Sequence, residues 1–291
     1  MISIICGLGT AILFAASSLL ASRAVKIIDS WSVVAWTMTI GLAITLPFVL
    51  LAGIPSDLGG DDIAWMAAAG IGNVTGLVCA ALAFRVGKVG VITPILATEG
   101  ALAAVIAAFL GESIAPVVAF LLMAMVVGVV IAGIAPDPAP LAHERPVVAV
   151  LLSVGGALVF GISLFAVGHL SAELPISWVL LPARLVGVVA LALPLLLTSR
   201  LHLTRVTAPL VAGMGLAEVV GFMLFAIGAQ YQVAVTSVLA SQFAPIAAVM
   251  AYVLFKERLG RLQITGVAVI VVAVTVLSAV TSTSQAYSPS P

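Results

Sequence analysis

The sequence predicts an all-α membrane protein of ten transmembrane helices, built as two inverted five-helix repeats. Three observations carry that prediction. Of 291 residues, 63% are hydrophobic and only 8% charged, with a mean hydropathy of +1.35, whereas a globular domain carries about 25% charged residues. Apolar runs of bilayer-spanning length, about 18 residues or more, recur along the chain. The two halves match in register and carry their basic loops in opposite places.

The spans read, in order, as 2–22, 31–52, 63–84, 89–110 and 114–134, then 147–169, 176–197, 208–229, 233–255 and 261–280. Each is a helix, because hydrocarbon offers no partner to an open backbone amide and the runs lack the alternation of barrel strands. The first run has no basic residues ahead of it and no small-x-small cleavage pattern before Arg23, so it reads as helix one rather than a signal peptide. The first repeat covers 1–134. The proline-rich, ionisable stretch "APDPAPLAHERP" (135–146) is a polar linker, the second repeat covers 147–280, and "TSTSQAYSPSP" (281–291) is expected to be a disordered tail.

A shift of 147 residues lays Gly9 on Gly156, Trp31 on Trp178 and Pro47 on Pro194. A shift of 145 pairs Gly70 with Gly215, Val74 with Val219, Gly76 with Gly221, Ala103 with Ala248 and Glu112 with Glu257. Five helices per half is an odd number, so the second half enters the membrane from the opposite side, as in many secondary transporters. Loop charge agrees. Arg23 and Lys26, Arg85 and Lys88, Arg145, Arg200 and Arg205, and Lys256, Arg258 and Arg261 occupy only odd-numbered loops. The positive-inside rule makes that face cytoplasmic and puts both ends of the chain outside, in the cell membrane.

An acid closes the fourth helix of each repeat: Glu112 in "FLGES" and Glu257 in "LFKERLGRLQITGVAVIVVAV", where Gln263 and Gly266 follow and Pro245 stands twelve residues before Glu257. On these residues the chain resembles the EamA-type transporters of the drug/metabolite transporter superfamily, over nearly its whole length. The resemblance implies a ten-helix exporter of small metabolites or drugs, with a cavity between the halves and the fifth helix of each repeat peripheral. It also implies cytoplasmic termini, opposite to the loop charges. Half one departs from the pattern, with Gly100 in place of Pro245 and no Gln and Gly after "GES".

Three ionisable residues are central in spans: Glu99, Arg184 and Glu218. A central charge costs about 2.5–3.5 kcal/mol on insertion scales, so each should face the bundle interior with a partner or a task. Asn73 is the repeat mate of Glu218, and Gln242 is the mate of Ala97, two positions before Glu99. These five outline a midplane pocket. The carboxylates would take a substrate ammonium or a proton, and Arg184 a substrate carboxylate, which suits an amino-acid-like zwitterion or a cation. The competing expectation is that Arg184 pairs with Glu99 or Glu218 as a bridge linking the halves. Glu112 and Glu257, at water-reached helix ends near Ser113 and Arg258, are expected to cap or gate.

The remaining polar and aromatic residues have simpler readings. Trp31 and Trp178 are interfacial anchors, and Gly70, Gly72, Gly76, Gly213, Gly215 and Gly221 allow close helix packing. Cys6 and Cys79 sit in apolar runs as packing residues. His143, His169 and His202 form no spaced ligand set, so neither metal nor cofactor is expected. No basic tract argues for nucleic acid. An enzyme embedded in the membrane would need an HExxH helix, an intramembrane His or a paired-aspartate site, and none is present. Without a P-loop, active transport must draw on a gradient, with the proton as candidate co-substrate. An uncoupled facilitator and a non-transporting assembly subunit are the alternatives, and a second copy of the chain is a candidate partner.

Overall fold

The computed structural model describes residues 1–55, 58–99, 102, 116–134, 144–170, 174–240, 242–257 and 259–286. Glu112, Gly100, Ala103, Ser113, His143 and Arg258 lie outside them. Among the described residues ten helices follow in chain order: α1 Ile2–Ala24, α2 Ser30–Ala52, α3 Gly60–Val86, α4 Val89–Leu96, α5 Pro116–Ile134, α6 Pro146–Leu170, α7 Ile176–Leu197, α8 Thr207–Ala240, α9 Phe243–Phe255 and α10 Arg261–Ala286. Six of them (α1, α2, α3, α6, α7 and α8) are long and apolar enough to cross a membrane, counting only the described residues.

Local chemistry sets the helix ends. Asp29 precedes α2 and its Oδ1 accepts the Ser32 amide at 2.8 Å. Before α3, Asp62 Oδ2 accepts the Gly59 amide at 2.8 Å, and before α10 the Gln263 Oε1 takes the Gly260 amide at the same distance. Both reach back from the first turn to a donor that the helix ladder leaves open. Pro47 stands inside a regular α2, but its mate Pro194 follows a π-helical turn, Val188–Ala192, in α7.

The two repeats interlock. α1 lies along α8 and α3 along α6, so the first and third helices of each half pair across the halves; α2 meets α7, and α5 meets α10. Close approach at glycine makes these pairings tight. Gly76 and its mate Gly221 each receive a phenylalanine ring, Phe160 and Phe14, with no room for a Cβ. The main core is formed by Val33, Met38, Phe84, Ile92, Val211 and their neighbours at the centre of the interlock. A second cluster lies under α5 and α10, around Met125 and Ile270.

Three expected boundaries are corrected. The break expected at 229–233 is absent, since α8 runs unbroken to Ala240. In half one the equivalent break falls at Gly87, which is extended and has no room for a Cβ beside Ala149; half two has Gln232 there, and nothing interrupts the hydrogen-bond ladder. Helix four is not continuous from 89 to 110, because α4 ends in a turn at Ala97 and Thr98 before helix resumes at Glu99. α10 continues through Ala286 rather than ending near 280, since Ser, Thr and Gln can carry the ladder and the first proline of the tail is Pro289.

The odd-numbered loops meet on one face. The Arg145 amide donates to Val86 O at 2.8 Å, joining loops five and three. Asp29 faces His202 at 3.1 Å, joining loop one to loop seven, and Trp36 Nε1 of α2 donates to His202 O at 3.2 Å. Arg23 sits 5.1 Å above the Phe255 ring, reaching the end of α9. On the opposite face, Trp178 Nε1 in the first turn of α7 donates to Gly53 O of loop two at 2.8 Å. Partial burial pushes the Asp29 carboxyl up, but hydrogen bonds from Ser32 and the nearby His202 outweigh it and hold the group below its ordinary value.

Candidate functional site

The structure joins two of the five residues expected in the pocket. Arg184, 2% exposed on α7, donates from Nη1 to Glu218 Oε2 at 3.0 Å; Glu218, on α8, is 7% exposed. Both lie in the second half, so this pair bridges consecutive helices of one repeat. The expected link between halves is therefore corrected. The first half instead supplies the wall. Nη1 also lies 3.5 Å from Met38 Sδ, and Gly41 leaves the space that the arginine stem fills, for a Cβ there would stand 2.9 Å from Cδ and Nε.

Sequence reasoning missed this wall. Met38 and Gly41 are ordinary residues for a membrane helix, and only the crossing of α2 over α7 gives them a role. A buried ion pair repays its desolvation only with good geometry and further hydrogen bonds. Here it is incomplete, because Arg184 Nε has no acceptor among the described residues. Asn73 Oδ1, on α3, is likewise buried without a donor.

Glu99 is half-buried where helix four resumes after the Ala97–Thr98 turn. It makes no hydrogen bond or ion pair with the described residues, unlike Glu218. Thr98 turns its hydroxyl to Ile95 O at 2.7 Å, which closes the end of α4 rather than meeting Glu99.

Gln242, the mate of Ala97, occupies the corresponding break in half two, between α8 and α9, and donates from Nε2 to Thr275 Oγ1 of α10 at 3.1 Å. Pro245 sits in the first turn of α9, where its missing amide costs no ladder bond. Both repeats thus interrupt a helix at one matched position, and each interruption carries a polar side chain. Discontinuous helices of this kind form midplane sites in many transporters.

Glu257 is buried, 4% exposed, and the expectation that water reaches it is corrected. Helix α9 ends at a left-handed Lys256, φ 54°, which turns the chain inward. The Glu257 carboxylate then accepts the amides of Val89 at 3.3 Å and Gly90 at 3.2 Å. These are open donors at the start of α4, a helix of the other repeat. Gly266 serves close contact: a Cβ there would lie 2.6 Å from the Ala132 amide and 2.7 Å from Gly128 O, so α10 and α5 touch backbone to backbone.

A family model described as the EamA-like transporter family matches residues 1–134 and 147–279. A solved structure named only "Crystal structure of protein" superposes with a TM-score of 0.64 over 96% of this chain and 98% of its own, at 17% identity, a likeness of fold alone. No curated protein matches in sequence.

Proposed function

From the premise that this chain belongs to the EamA-like transporter family, and is thus a multi-pass membrane transporter rather than an enzyme, we propose that it exports an amino-acid-like zwitterion or an organic cation in exchange for protons. The observation that carries this reading is the contrast between the two central acids. Arg184 neutralises Glu218, while Glu99 stands at a helix break with no partner among the described residues. A lone central carboxylate is costly in hydrocarbon unless it takes up a proton or a cationic group. Glu99 therefore alternates between proton and substrate ammonium. Arg184 Nε and Asn73 Oδ1 supply a donor and an acceptor for the substrate's polar end, and Gln242 closes the pocket from the second half. Rocking of the interlocked repeats about these breaks exposes the pocket to each side in turn.

The test uses liposomes with an internal pH dye, challenged with the proteinogenic amino acids and tetraethylammonium. Substrate-driven proton flux is expected in the wild type and to fall at least about a hundredfold in Glu99→Gln, with folding unimpaired, because the amide cannot carry the proton. Flux of equal size in the variant removes Glu99 from coupling. Substrate movement without proton movement in the wild type makes the protein a facilitator.

The meeting of the basic loops on one face supports placing that face in the cytoplasm and the chain ends outside. An epitope tag after Pro291 is expected to bind antibody on intact cells. Binding only after permeabilisation would reverse the orientation.

A further inference from the structure

α4 belongs to the first repeat by sequence but is packed mainly into the second. It lies against α6, α9 and α10 more extensively than against α1 and α3 of its own half. Val91 and Ile95 join the cluster of α5 and α10, while Val89, Ile92 and Leu96 join the core shared with Ala247, Ala251 and Met250 of α9. At its start, Gly90 fits beneath Leu259 in the turn between α9 and α10, and the Glu257 carboxylate holds the Val89 and Gly90 amides. Both chain connections of α4 are weak points in the backbone: the extended Gly87 before it and the Ala97–Thr98 turn after it.

We infer that Glu257 is a positioning residue that anchors α4 to the end of α9, so that this short helix moves with the second repeat and carries the Glu99 break with it. A charge-assisted hydrogen bond to open amides at a helix start is among the stronger polar contacts, and here it is shielded from water. The device is one-sided among the described residues. The positions equivalent to Val89 and Gly90 are Ala234 and Val235, within the unbroken α8, whose amides are already committed to the helix ladder. A first-repeat acid has no open amides to hold there. Among the described residues the repeats are therefore mechanically unequal, with the end of α9 holding α4. The consequence for Glu99 rests on the transport reading above; the anchor itself does not.

Hydrogen–deuterium exchange of the purified full chain tests the anchor. In Glu257→Gln, which keeps the size and one acceptor oxygen, the peptide covering 88–96 is expected to exchange about tenfold faster, and in Glu257→Ala faster still, with α6 unchanged. Unchanged exchange in both variants overturns the anchor. In the liposome assay with the same amino-acid and tetraethylammonium panel, Glu257→Gln is expected to lower turnover about tenfold and shift half-saturation by less than about twofold, because no substrate contact is altered. Wild-type turnover in a variant whose α4 has loosened overturns the positioning role. If nothing in the panel moves even in the wild type, the transport reading fails, while the exchange result still decides the anchor.

Discussion

Replacing Arg184 by Met is expected to destabilise the protein by about 3–5 kcal/mol, because it leaves Glu218 as an uncompensated buried charge. The double variant Arg184→Met with Glu218→Leu is expected to regain most of that stability, since an apolar pair of similar volume fills the same space without desolvation cost. Denaturant unfolding in micelles measures both. The wall around the pair makes the contrast sharp. Met38 and Gly41 press on the arginine from α2, so a Met side chain finds apolar contacts ready for it. Transport should not follow stability. The double variant is expected to fold and to move substrate at least about a hundredfold more slowly, because the Nε donor is gone. Normal transport by the folded double variant would make the pair a structural bridge only, and a single variant costing under about 1 kcal/mol would show that water or another group replaces the arginine.

Gly266→Val is expected to cost the other large amount, at the upper end of about 1–3 kcal/mol or beyond it. Its new Cβ would meet backbone, the Ala132 amide and Gly128 O, and backbone cannot swing aside as a side chain can. α5 and α10 must separate, with loss of the packing around Met125 and Ile270. Gly155 in α6 gives the matched control. A Cβ there meets nothing within 4 Å, so Gly155→Ala is expected to stabilise by about 0.5–1 kcal/mol through reduced chain entropy. Thermal unfolding in detergent compares the two, and equal effects would exclude close approach as the reason for glycine at position 266.

Three residues that carried the resemblance have structural roles here. Glu257 holds the start of α4, Gln263 caps α10 from within its first turn, and Gly266 lets α10 lie on α5. None of these contacts touches the central acids. The residues on which the resemblance was read thus help to assemble the frame, while Glu99 and Arg184 stand apart from them.

The helical class, the two repeats and the shared side of the basic loops were legible in the sequence because each depends on composition along the chain. Hydrocarbon forces every span to satisfy its own backbone, and an odd helix count forces the inversion, whatever the side chains do. Only the tertiary structure decided that Arg184 pairs with Glu218 rather than Glu99, since the direction a helical side chain faces changes by about 100° per residue and depends on how each helix is rotated in the bundle. It alone decided that the helix ends at Gly87 in one repeat while it runs on through Gln232 in the other, because only the packed structure brings Ala149 to where a Cβ at Gly87 would stand. It also decided that Glu257 finds its donors in Val89 and Gly90, far away in sequence and in the opposite repeat. Such a contact exists only once the two halves have interlocked.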